Sequence, residues 1–80
     1  MTDIATKKPV QVRNEGTAGP YVRVPLDQVK EIEKLLNTHG IYYWVSEDAI
    51  SFDNGPFITE INFGRKGDAR AIQKVFDSAN

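Results

Sequence analysis

Two short stretches of this 80-residue chain hold residue types suited to binding chemistry. Gly64-Arg-Lys-Gly67 brackets two bases with two glycines, and Asp68 and Arg70 follow directly. A loop of that composition at a helix N-terminus can offer backbone amides and the positive charge of Arg65, Lys66 and Arg70 to a phosphate or carboxylate. Asp68 opposes this use, because as an N-cap its carboxylate would take the same amides and place negative charge beside them. The glycines also have a purely structural reading, a connection that needs positive φ. The other stretch is Ile41-Tyr-Tyr-Trp-Val45, with three adjacent rings. If it is extended, alternation sends Ile41, Tyr43 and Val45 to one face and Tyr42 and Trp44 to the other. The aliphatic set suits a leucine-rich helix, so Tyr42 and Trp44 are expected on the opposite face, with neighbours drawn from Tyr21, Arg23, Ser51, Ile58, Glu60 and Asn62.

No catalytic set emerges. His39, the single histidine, stands beside Gly40 at an expected helix end, where an imidazolium suits the carbonyl terminus, and no serine nucleophile neighbours it. Ser46, Ser51 and Ser78 lie outside any Gly-x-Ser-x-Gly elbow. Glu47-Asp48 and Asp53 fall at opposite ends of one short strand, about 15 Å apart at strand rise, too far for paired-carboxylate catalysis. No metal site or cofactor is expected, and the chain reads as a non-enzyme.

These residues need elements to position them. Val10–Arg13 alternates weakly and could pair with Tyr21–Val24 across the glycine-bearing loop Asn14–Pro20 as an extra edge strand. Residues 1–9 read as a flexible tail and 10–80 as one domain. After Pro25, Leu26, Val29, Ile32, Leu35, Leu36 and His39 recur at three- and four-residue steps, the stripe of an amphipathic helix. Ile41–Val45 and Ala49–Phe52 read as strands about a turn at Ser46–Asp48. Asn54-Gly55, the pair that a type I′ turn requires, predicts a hairpin between Phe52 and Phe57. Phe57–Phe63 alternates, with Phe57, Thr59, Ile61 and Phe63 on one side. Asp68 then caps a second helix with Ala69, Ile72, Val75, Phe76 and Ala79 as its apolar stripe.

The order is (β)βαβββα. It predicts an α+β fold, a two-layer open-faced sandwich in which a mainly antiparallel sheet of four or five strands carries both helices on one face. This order, with the run Leu35-Leu-Asn-Thr-His-Gly-Ile-Tyr-Tyr-Trp-Val45, loosely resembles the ferredoxin-like group, including ACT-like and PII-like regulatory modules. It departs from that pattern in having three strands before the second helix and none after it. Gly64–Gly67 also resembles in its letters the GXXG loop of KH domains, which clamps a nucleic-acid backbone but joins two helices. The basic, glycine-rich and aromatic signature of RRM domains is absent, and Glu60 on the ring-bearing face would repel phosphate.

Composition sets the remaining bounds. With 40% hydrophobic and 26% charged residues and a net charge of -1, the chain matches an ordinary globular domain and is too balanced to demand a nucleic-acid or membrane partner. Residues 27–60 are acid-rich, whereas both flanking segments carry more bases than acids. Without cysteine there is no disulfide, thiolate metal site or thiol nucleophile, which fits a cytoplasmic setting. No apolar run approaches the roughly 20 residues of a membrane span. The expectation is therefore a protein-interaction or self-association module, such as a homodimer, working through Tyr21, Arg23, Tyr42, Trp44 and Ile58. The alternative is a small-anion or nucleic-acid binding regulatory domain using Gly64, Arg65, Lys66, Gly67 and Arg70.

Overall fold

The computed structural model describes residues 1–14, 19–47, 49–51 and 55–79. Strand β1 (Tyr21–Pro25) leads through a 3-10 turn (Leu26–Gln28) into helix α1 (Val29–Thr38). Strands β2 (Trp44–Val45), β3 (Ile50–Ser51) and β4 (Phe57–Asn62) follow, and helix α2 (Ala69–Ser78) ends the succession. The sheet is antiparallel, four-stranded and centred on β4. Both helices turn their buried residues to one side of it, so the chain forms the expected α+β open-faced sandwich. Its smallest dimension, 18 Å, suits one sheet layer plus one helix layer, a helix with side chains being about 10 Å across.

The strand pairing simplifies the element order. β1 runs along one flank of β4 from Tyr21↔Asn62 to Pro25↔Ile58, while β2 and β3 share the other flank. Between Val45↔Ile61 and Ile50↔Ile58 the edge chain has four residues where β4 has two, so β2 and β3 lie along the same flank of β4 with an interruption in the pairing between them. The chain thus makes a split β-α-β unit: β1, α1, the interrupted edge strand, then β4 inserted between them. The three strands foreseen between α1 and α2 occupy only two positions across the sheet, because two of them lie end to end. β3 and β4 pair as the foreseen hairpin, with Ser51 opposite Phe57. The type I′ pair expected at Asn54 and Gly55 involves Asn54, which lies outside the described residues.

The core is built from one face of each element. Val22 and Val24 of β1 face Ile61 and Thr59 of β4, and Val29, Ile32, Leu36, Ile72 and Phe76 of the helices close over them. Leu26, expected on the helix stripe, is 47% exposed. It stands in the 3-10 turn, which advances three residues per turn and so rotates its side chain away from the stripe that α1 sets at 3.6. Phe57, expected on the same side as Thr59 and Ile61, is likewise exposed, at the first position of β4.

The segment expected as a flexible tail packs against the helical layer. Thr2 bridges Pro9, the Val10 amide donates to the Met1 carbonyl at 2.9 Å, and Oδ1 of the buried Asp3 accepts from the Ala5 and Thr6 amides. Two glutamines hold this segment in place. Gln28 accepts from the Ile4 amide at 3.0 Å and donates to the Thr2 carbonyl at 2.8 Å. Gln73 of α2 accepts from the Val12 amide at 2.7 Å and donates to the Val10 carbonyl at 3.0 Å. The weak strand expected at Val10–Arg13 amounts to one antiparallel bridge, Arg13↔Tyr21.

Candidate functional site

The open face of the sheet is assembled from the alternate residues of each strand. Register places Tyr21 beside Asn62, Arg23 beside Glu60, Trp44 on the other flank of Asn62, and Ile50 beside Ile58. Their partners in the alternation, Val22, Val24, Val45, Thr59 and Ile61, point to the helices. The three adjacent rings are divided accordingly. Tyr43 is half-buried against the core, whereas Tyr42 is 72% and Trp44 45% exposed. The two outward rings lie 5.9 Å apart between centroids at 53°, a tilted aromatic contact.

Polar groups on this face are already paired. Arg23 Nε donates to Glu60 Oε2 at 3.0 Å, and its guanidinium lies 5.6 Å from the Tyr21 ring centroid. With both side chains well exposed, such an ion pair contributes about 0–1 kcal/mol and mainly orients the arginine. Asn62 Nδ2 donates to Ser46 Oγ at 3.0 Å. The face therefore carries an aromatic and aliphatic patch beside a neutralised charge pair, and it collects all five residues expected there: Tyr21, Arg23, Tyr42, Trp44 and Ile58. It also gains Ile50, 56% exposed and opposite Ile58, which is not foreseen because the expected turn at Ser46–Asp48 separates it from Trp44, although the two extra residues of the edge chain leave both facing the same way. Ser51, one of the neighbours considered, pairs with Phe57 and lies on the other side.

The second candidate set lies close by. Gly64 has φ of +80°, and its carbonyl accepts from the Gly67 amide at 3.0 Å, so Gly64–Gly67 is a tight turn with Arg65 and Lys66 exposed at its tip. A Cβ on Gly64 would stand 3.6 Å from the Trp44 ring and 3.8 Å from that of Tyr42, which puts the turn against the outward rings. Gly67 also lies tightly over the strand end, since a Cβ there would meet Phe63 and the Gly64 carbonyl at 3.0–3.1 Å. Asp68 caps α2: its Oδ1 accepts from the Arg70 amide at 3.0 Å and the Ala71 amide at 3.2 Å. The first-turn amides that an anion would use are thus bonded to a carboxylate. Arg70 is exposed on the first turn of α2.

His39 is the exposed C-cap residue of α1, and Gly40 follows with φ of +66°. Among the described residues no group of three His, Asp or Glu side chains is placed to hold a metal ion, and no helix is long and apolar enough to cross a membrane. Comparison with protein-family models, with characterised proteins and with solved structures gives no match to this chain.

Proposed function

We propose that this chain is a small, non-enzymatic interaction module of the cytoplasm that associates through the open face of its sheet, with a second copy or with another protein. The observation that carries the reading is the exposure of Tyr42, Trp44 and Ile50 together on one face while both helices occupy the other. Clustered exposed aromatic and aliphatic side chains are characteristic of protein contact surfaces, with Trp and Tyr as their usual anchors. The Arg23–Glu60 pair suits self-association, because a two-fold axis passing between the two side chains would set each charge against its opposite on the other copy. Glu60 at the centre of the face makes nucleic acid a poorer partner.

Sedimentation equilibrium over a concentration series, paired with iodide quenching of the single tryptophan, tests this proposal. Wild-type mass should rise with concentration as Trp44 becomes shielded, and Trp44→Ala should stay monomeric. A concentration-independent monomer with accessible Trp44 would assign the face to a different protein. A monomer with shielded Trp44 would overturn the reading, because the tryptophan would then be core.

A further inference from the structure

A groove of about 570 Å³ opens where α1 ends and α2 begins, running along Ile41, Phe63, Ala71, Ile72 and Val75. Phe63 and Ile72 are each only 3% exposed, so the groove reaches the hydrophobic core itself. Its size falls within the roughly 300–1,000 Å³ range of small-molecule sites, which are mostly apolar with a few polar groups at fixed positions. Here the polar groups stand at the rim: His39, Tyr42, Lys66 and Asp68. The two charged ones differ in commitment. Asp68 already accepts two amide hydrogen bonds through Oδ1, whereas Lys66 is exposed and forms no ion pair among the described residues.

We infer that this groove binds a small amphipathic carboxylate, with its alkyl or aryl-alkyl body along Ile41, Ile72 and Val75 and its carboxylate at the Lys66 ammonium. A phosphate dianion fits less well, because the amides of Gly67, Arg70 and Ala71 are already bonded to Gly64 and Asp68 and leave no cradle of donors there. A cationic ligand would meet the Lys66 ammonium, and Oδ1 of Asp68 already accepts two amide hydrogen bonds. One uncommitted cation above an apolar channel matches a single negative charge on an apolar body. The site shares only Tyr42 with the open sheet face, and it stands or falls independently of association there.

The test is an amide chemical-shift titration of the full chain with octanoate, set against octanol and octylammonium. Octanoate should move Ile41, Ala71, Ile72 and Val75 and bind most tightly, octanol more weakly, and octylammonium least. Lys66→Gln, on an exposed turn, should weaken octanoate by about threefold or more and leave octanol unchanged. Ala71→Trp, at an exposed helical position, should block both, and Lys66→Gln decides the matter if that variant folds poorly. Absence of shifts by about 10 mM octanoate would overturn the inference, since even modest contacts across a channel of this size should register there. It would also fail if octylammonium bound as well as octanoate, or if the shifts fell on Trp44 and Ile50 instead of the groove.

Discussion

Tyr43 shows how one position in the aromatic run differs from its neighbours. Its hydroxyl donates to Glu33 Oε2 at 3.1 Å. Partial burial first, then the hydrogen bond and negative charge of Glu33, hold the hydroxyl above the ordinary phenol value of 10.0, against a smaller opposing effect from Asn37. Because the folded pKa is the higher one, folding favours the neutral phenol. The stability this contributes is complete below pH 10 and is lost as pH rises through the folded value. Urea midpoints of wild type and Tyr43→Phe should therefore differ by a constant amount at neutral pH and converge above pH 10; a gap that persists at alkaline pH would refute this. Two glycines make a second comparison. Gly40 has φ of +66° with open space around its missing Cβ, so Gly40→Ala should cost about 1–2 kcal/mol of conformational strain. Gly19 has φ of +92°, and an added Cβ would stand 2.3 Å from the Gly64 carbonyl oxygen, backbone against backbone. Gly19→Ala should cost about 3 kcal/mol or more, since strain and collision add. Chemical denaturation of the two variants side by side checks the order.

The elements divide into those that local rules build and those that need distant partners. α2 is of the first kind: Asp68 caps it, and its buried residues Ile72 and Phe76 fall on one stripe. The N-terminal segment is of the second kind, held by side chains 24 to 63 residues away in sequence. Gln28 is only 3% exposed and supplies both halves of one such clasp. Gln28→Ala should cost about 1–3 kcal/mol, the usual penalty for leaving buried partners unsatisfied. Hydrogen exchange at the Ile4 amide should accelerate strongly, while the Val12 amide, held by Gln73, keeps its protection. Equal loss at both amides would mean that the segment unfolds as one unit. Nothing in the sequence distinguishes Gln28 or Gln73 from an ordinary surface glutamine, which is why residues 1–9 read as a tail.

For the molecule as a whole, the thinness of the core is decisive. A domain of 80 residues has a stability of roughly 4–12 kcal/mol, and Phe76 of α2, fully buried, is the largest enclosed side chain among the described residues. Phe76→Ala should cost about 3–5 kcal/mol, a loss that at the lower end of this stability range brings the protein to its unfolding midpoint at room temperature. Guanidinium denaturation followed by circular dichroism should show the loss as a single cooperative transition. Pairing also redistributes charge. The acid-rich middle of the chain and its more basic flanks are adjacent in the sheet, where Arg23 meets Glu60, so the segregation along the sequence gives no simple pair of opposite poles.

Much of this arrangement follows from local periodicity. The 3.6-residue repeat places Val29, Ile32, Leu36, Ile72 and Phe76 inward. The two-residue repeat separates Tyr42 and Trp44 from Tyr43, and Asp68 and Gly64 have the backbone roles their side chains suggest. These features are legible because each depends only on backbone geometry within a few residues. The strand order, the joining of β2 and β3 along one flank of β4, the outward placement of Ile50 and the groove between Ile41 and Val75 were decided by tertiary structure. Each requires a contact between residues far apart in the chain, and several alternative pairings satisfy the same hydrophobic pattern. Residue type and period determined which side chains could face out; the packing of two helices on one face of a β4-centred sheet determined which of them meet.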